Sequence, residues 1–259
     1  MNDSFNSPRT ALVIGGTSEI AEAIVDLLAG QRLRHVVLAS RTSTRADETA
    51  DRLRRRHPDL RVDLLHFDAA ELASHESVVD AAVVACGDVD LVIVACGLLG
   101  TPDDGSGPLG DRQEAIDVAT ATYLGPMSIL HVAANRLYAQ GHGTLAVISS
   151  VAALRPRRTN PPYGAAKAAL DGFALALADR FHSSGVHVMV VRPGFVRTRM
   201  TANLGGKTPP MSTTPERVAA DVIDGLRRRR RVVWSPFATR APGHLARVLP
   251  SFVMRRMPW

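Results

Sequence analysis

Short runs of consecutive apolar residues punctuate this chain, and between them apolar positions return every three or four residues. The first run, Ala11-Leu12-Val13-Ile14, reads as a buried parallel strand. Gly15-Gly16-Thr17-Ser18 follows as a tight turn, and a helical pattern then begins with Ile20, Ile24, Leu27 and Leu28 on one face. The next run is His35-Val36-Val37-Leu38-Ala39, ending at Ser40-Arg41, and residues 44–57 carry the charges of an exposed helix. Arg61 to Phe67 reads as a third strand, followed by Asp68, and Leu91-Val92-Ile93-Val94-Ala95 as a fourth, leading to Gly97. A loop rich in Gly, Pro and Asp spans Gly100 to Asp111, with a long helical region after it to about Gln140. Thr144 to Ser149 and Val186 to Arg192 read as the fifth and sixth strands, and the helix between them has Leu170, Phe173, Ala174 and Leu177 as its apolar face. A helix containing Val218, Val222 and Leu226 leads to a seventh strand, Val232-Val233-Trp234.

This βαβα alternation predicts an α/β fold: a Rossmann-type, doubly wound parallel sheet of about seven strands with helices on both faces. The 259 residues suit a single domain, expected over residues 1–234, with residues 235–259 as a basic amphipathic tail. A content of 46% hydrophobic and 22% charged residues is that of a soluble globular protein. Cys86 and Cys96 show neither metal-ligand spacing nor a disulfide framework, so no metal is expected. Met1 to Arg9 is polar and lacks a secretory apolar core, and no run reaches the roughly 18 apolar residues of a membrane-spanning helix. The expectation is a cytoplasmic protein. A net charge of +6 leans toward an anionic partner without saying which.

Strand, glycine turn and helix together make the phosphate-binding start of a dinucleotide fold, with free N–H groups of the helix facing a pyrophosphate. After the second strand an acidic residue would bond a ribose 2′-hydroxyl and favour NAD; Ser40 and Arg41 stand there instead, with Arg45 nearby. A guanidinium suits a 2′-phosphate, so the reading leans to NADPH over NADH; the alternative is a solvated arginine at a strand end. Asp68 either accepts from an adenine amino group or caps the following turn. Tyr163 and Lys167, four residues apart, share one helix face. An ammonium one turn away favours the phenolate and lowers the phenol pKa, making the pair a candidate general acid or base. Ser150, at the end of the fifth strand, can hydrogen-bond a substrate carbonyl. Alone, Tyr-x-x-x-Lys is an ordinary helical surface pair; the glycine turn and the βα order give it weight.

With Gly15-Gly16-Thr17-Ser18-Glu19-Ile20, Asp68, Ser150, Tyr163-x-x-x-Lys167 and Arg192-Pro193-Gly194-Phe195-Val196-Arg197-Thr198 in this order, the chain resembles the short-chain dehydrogenase/reductase family over nearly its whole length. The resemblance implies that Tyr163 donates a proton to the reduced carbonyl oxygen. It also implies that Lys167 lowers the Tyr163 pKa and binds the nicotinamide ribose, and that Ser150 polarises the carbonyl. It implies cofactor contacts from Gly15, Thr17, Ser18, Glu19, Ile20, Ser40, Arg41, Asp68, Ala95, Gly97, Pro193, Gly194, Val196 and Thr198, and a homo-oligomer. Three departures stand out. Glu19 and Ala21 occupy two glycine positions of the family turn, and Val94-Ala95-Cys96-Gly97 replaces Asn-Asn-Ala-Gly. Thr122 aligns with the relay asparagine, where its hydroxyl could still hold a water.

Within the family, the glycine stretch, Gly97-Leu98-Leu99-Gly100, Arg157-Arg158, Arg197-Thr198-Arg199-Met200 and the ending Arg255-Arg256-Met257-Pro258-Trp259 are similar to the decaprenylphosphoryl 2-keto-pentose reductases of actinobacterial cell-wall synthesis. That resemblance implies a polyprenyl-phosphate sugar substrate, decaprenylphosphoryl arabinofuranose as product and a flavin oxidase partner that makes the keto sugar. From the residues themselves, Arg155, Arg157 and Arg158 either hold a phosphodiester or form a solvated loop. In the tail, Leu245, Val248, Leu249, Phe252, Val253 and Met254 mix with Arg240, Arg247, Arg255 and Arg256. That pattern fits peripheral contact with an anionic membrane, or packing on the body or another subunit. Arg227 to Arg231 reads as a solvated helix end with no nucleic-acid recognition module beside it. The competing readings are a reductase of another apolar ketone or aldehyde and a cofactor-binding sensor without turnover.

Overall fold

A computed structural model describes residues 7–103, 105–202, 209, 211–250 and 253. The strands are β1 (Thr10–Ile14), β2 (His35–Ser40), β3 (Arg61–His66), β4 (Leu91–Val94), β5 (Gly143–Ile148), β6 (Val186–Pro193) and β7 (Val232–Ser235). They form one sheet in the order β3-β2-β1-β4-β5-β6-β7, with every neighbouring pair parallel. The helices are α1 (Glu19–Ala29), α2 (Thr44–Arg56), α3 (His75–Cys86), α4 (Arg112–Ala119), α5 (Gly125–Gln140), α6 (Pro161–Arg180), α7 (Arg199–Ala202), α8 (Pro215–Arg227) and α9 (Arg240–Val248). β2, β4 and β5 are buried throughout, which is why their sequences are continuous apolar runs rather than alternations.

Two apolar layers result. In one, Ile24, Leu28, Leu53, Val218 and Val222 of α1, α2 and α8 cluster with Val13, Val36 and Ile93. In the other, Val79, Ile129, Leu137, Leu170 and Ala174 of α3, α5 and α6 cluster with Leu12, Val37 and Val92. Leu27 departs from its expected inward position and is 38% exposed, because the buried stripe of α1 runs through Ala21, Ile24, Val25 and Leu28. The long helical region after Asp111 is not continuous: a π-helical turn, Thr120–Leu124, separates α4 from α5. Helix α3 does not stand out in the hydrophobic pattern because His75 fills part of its inward stripe, bonded to Ser128 Oγ at 3.0 Å and the Asp68 carbonyl at 3.1 Å.

The arginine run after α8 is tied down by carboxylates. Arg228 and Arg230 reach Asp224 at 2.7 and 3.2 Å, and Arg231 reaches Asp179 at 2.7 Å. Part of the tail lies on the body: a Cβ at Gly243 would meet Leu154 at 2.9 Å and Trp234 at 3.0 Å, and the His244 ring lies 5.2 Å from that of Trp234. Leu245 and Val248 remain exposed. Phe252, Met254, Arg255, Arg256, Met257, Pro258 and Trp259 lie outside the described residues. Among the described residues no helix is long and apolar enough to cross a membrane.

Candidate active site

β1 and β4 are neighbours although β2 and β3 intervene in sequence, so the strand order reverses there and a crevice opens beyond the strands' C-terminal ends. Gly15 sits at φ +88°, and a Cβ on it would come within 2.7 Å of the Cys96 backbone nitrogen. The turn after β1 is thereby pressed against the turn after β4, which carries Ala95 and Gly97. Ser18 caps α1, accepting from the Ala21 nitrogen at 3.4 Å. The first amides of α1 lack intrahelical acceptors, Glu19 and Ile20 among them, and sit at the crevice with Thr17. Glu19 meets Arg199, and Ala21 is fully buried where the family turn has glycine.

Ser40 ends β2 and lines a shallow cavity with Thr42, Ser43, Ala46, Leu65 and His66. Arg41 and Arg45 are exposed beside it. Asp68 takes the capping role, its Oδ1 accepting from the Ala70 nitrogen at 2.9 Å. Beyond β6, the Gly194 nitrogen donates to the Ser235 carbonyl at 2.8 Å, Val196 bridges to Thr213, and the Thr198 nitrogen donates to Thr201 Oγ1 at 3.1 Å. These positions all lie at or beyond the C-terminal ends of the parallel strands.

Helix α6 delivers the acid. Asn160 caps it, accepting from the Tyr163 nitrogen at 3.3 Å and donating to the Leu99 carbonyl at 2.8 Å. Asn160-Pro161-Pro162 is a helix-start signal that was available in the sequence. Ser150 ends the fifth run, its Oγ accepting from the Ala152 nitrogen at 3.1 Å and near enough to the Tyr163 phenol to favour its phenolate. One turn beyond Tyr163, Lys167 is 5% exposed; its Nζ donates to the Ile148 carbonyl at 2.8 Å and lies 5.9 Å from the Tyr163 ring centre. Burial pushes the Tyr163 phenol up to about 12, opposed by the Ser150 hydrogen bond and the charge of Arg157. Burial likewise pulls Lys167 down to about 8, opposed by Cys96 and Asp171.

Two expectations change here. Lys167 is not the leading influence on the Tyr163 phenol: its ammonium donates to the Ile148 carbonyl, and Ser150 and Arg157 are the groups that favour the phenolate. Thr122 does not serve as a water holder: it is fully buried, donating to the Leu98 carbonyl at 3.0 Å and accepting from the Leu98 nitrogen at 2.9 Å. Arg157 flanks Tyr163, packed there by the close approach of Pro156 to Gly164, whose Cβ would lie 2.7 Å from Pro156 Cα. The stem of Arg158 instead lies along Gly105.

Behind Ser150 is a buried network that the motif reading missed. Asp171 accepts from Arg192 at 2.7 and 3.0 Å and from Ser149 Oγ at 2.7 Å, and Arg192 stacks 5.1 Å from the Trp234 ring centre. Its signal was one acid on the inward side of α6 and one base ending an apolar strand, since buried charges are found paired.

The family described as short chain dehydrogenase matches residues 9–208. An uncharacterized oxidoreductase of Mycobacterium tuberculosis is 39% identical over 259 residues, covering 100% of both chains. The 3-oxoacyl-(acyl-carrier-protein) reductase of Escherichia coli is 28% identical over 196 residues, 76% of this chain and 77% of that one. Among solved structures, 3-oxoacyl-(acyl-carrier-protein) reductase from Brucella melitensis in complex with NAD aligns at a TM-score of 0.77 and 23% identity, covering 88% of this chain and 95% of that one. That structural likeness is one of fold.

Proposed function

This chain belongs to the short-chain dehydrogenase family, and from that premise we propose that it uses NAD(P)H to reduce a 2-keto-pentose carried on a polyprenyl phosphate. The observation that carries the substrate reading is Arg157, a cation held within electrostatic reach of the Tyr163 acid. Arg158 adjoins it. Exposed Leu98, Met200, Met211 and Phe237 lie on the segments that follow β4, β6 and β7, an apolar rim suited to a lipid chain. The proposed product is decaprenylphosphoryl arabinofuranose. A flavin oxidase that makes the keto sugar, a homo-oligomer and peripheral membrane contact near exposed Leu245 and Val248 belong to the same reading.

The crevice residues fit a nicotinamide dinucleotide. Lys167 is buried with one of its three hydrogens on the Ile148 carbonyl, leaving two for ribose hydroxyls. Arg41 and Arg45, beside the Ser40 cavity, suit a 2′-phosphate, which favours NADPH. When bound, the dinucleotide supplies the hydride. Tyr163, protonated at neutral pH, gives its proton to the carbonyl oxygen as negative charge develops there. Ser150 hydrogen-bonds the same oxygen and orients the carbonyl.

Purified protein would be mixed with NADPH or NADH and a polyprenylphosphoryl 2-keto-pentose, with the reduced nicotinamide absorbance followed. Turnover that is lost in Tyr163→Phe, with cofactor binding retained, supports the reductase and excludes a sensor. No turnover with either cofactor, despite cofactor binding, removes the keto-sugar assignment. A second reading, reduction of another apolar ketone, is favoured by the likeness to the Escherichia coli 3-oxoacyl reductase. It expects Arg157→Ala to leave KM unchanged, whereas the phosphate-bearing substrate expects KM to rise.

A further inference from the structure

Glu19 is the first residue of α1, and its carboxylate suits the helix dipole. That same end of α1 is where the dinucleotide reading above, on which this inference rests, places a diphosphate. Two anions there repel. Opposite Glu19 stands Arg199, 180 residues away in sequence. The Arg199 backbone nitrogen donates to Glu19 Oε2 at 2.7 Å, Nε lies 3.4 Å from the same oxygen, and Nη2 donates to the Thr17 carbonyl at 2.9 Å. One guanidinium thus joins the turn after β1 to α7, across the crevice mouth. It neutralises Glu19 while keeping N–H groups unspent, since a guanidinium carries five. Both side chains are accessible, at 47% and 31% exposure, so the pair adds little to stability and its charge can be reached by a ligand.

We propose that Arg199 is a cofactor-diphosphate-binding residue of this chain, positioned by Glu19 in the place of a family glycine. A glycine turn needs no added cation; a turn carrying a carboxylate does. The contribution of Arg199 is therefore coupled to the presence of Glu19, and ligand binding is coupled to the ordering of α7.

The test uses 2′-phospho-ADP-ribose and ADP-ribose, which keep the diphosphate and lack the nicotinamide. Their affinities are measured by calorimetry for the wild type, Arg199→Gln, Glu19→Gln and the double variant, with melting temperatures confirming that each is folded. Arg199→Gln is expected to weaken binding about five- to tenfold, as for a charge-assisted hydrogen bond at a partly exposed site. The double variant recovers the part of that loss that comes from the uncompensated Glu19 carboxylate. Hydrogen exchange at Arg199–Ala202 slows on ligand addition in the wild type and not in Arg199→Gln. Unchanged affinity in Arg199→Gln, or the same loss with and without Glu19, overturns the inference. Failure of the wild type to bind either probe overturns the dinucleotide reading instead.

Discussion

Replacing Lys167 by methionine isolates what a buried ammonium costs this fold. Lys167 is 5% exposed, and burial lowers its pKa from 10.5 to about 8. Between those values the unfolded chain holds a proton that the folded chain has released, so stability rises with pH across this window. Below about pH 8 the group is charged in both states and the whole penalty is present. The gap corresponds to roughly 3 kcal/mol, of which about 2 kcal/mol is relieved between pH 7 and pH 9.5. The Lys167→Met variant has no such term. The stability of wild type minus variant should therefore grow by about 2 kcal/mol over that range. The lost hydrogen bond to Ile148 is a constant offset in that difference, and Tyr163 is present in both proteins. Urea unfolding of the ligand-free proteins at pH 7, 8.5 and 9.5, followed by far-UV circular dichroism, measures it. Identical pH dependence in the two proteins would falsify the burial account. Because Lys167 is the proposed ligand of the ribose hydroxyls, the variant should also be inactive.

Three further substitutions probe the surroundings. Thr122→Val strands the Leu98 nitrogen and carbonyl and should cost about 1–3 kcal/mol in denaturant unfolding, with Thr122→Ser close to wild type. Asp171→Asn leaves Arg192 buried without its full counter-charge and should cost about 3–5 kcal/mol. Because Asp171 also holds the Lys167 pKa up, the same variant should move the alkaline fall of kcat/KM, set near pH 8 by Lys167 in wild type, to lower pH. Gly15→Ala combines φ +88° with a 2.7 Å approach to Cys96 and should lower the melting temperature markedly, with weaker dinucleotide binding in the calorimeter.

Most strands were legible because a strand buried on both faces leaves a continuous apolar run, as in Ala11–Ile14, Val36–Ala39 and Leu91–Val94, whereas the edge strand β3 is polar at Arg61, Asp63 and His66 and only partly buried. Helix boundaries were less so. Nothing in the apolar spacing marks the π-helical turn at Thr120–Leu124, which is tied to the turn after β4 by the bonds between Thr122 and Leu98. The acid and its neighbours were readable as motifs because Ser150, Tyr163 and Lys167 lie on a strand end and the next helix. Their electrostatics were not. Helical spacing puts Lys167 next to Tyr163, but only tertiary structure shows the ammonium turned to Ile148 and the charge of Arg157 felt at the phenol. The Ser149–Asp171–Arg192 network and the Glu19–Arg199 pair escaped for the same reason: their partners are distant in sequence.

These partners change what the site is set to do. A phenol whose pKa was lowered by its lysine would serve equally as acid or base near neutrality. Here burial pushes Tyr163 up to about 12, and the Ser150 and Arg157 contacts only partly offset it. Tyr163 is therefore a proton donor at neutral pH, with almost no phenolate to accept a proton from an alcohol. Lys167, near 8, is mostly charged at pH 7 and available to ribose hydroxyls. Proton donation accompanies carbonyl reduction, and proton removal accompanies alcohol oxidation. Burial of the phenol, which Arg157 only partly offsets, thus suits the site to proton donation in reduction, and alcohol oxidation should gain on reduction only as pH rises toward the phenol's own titration.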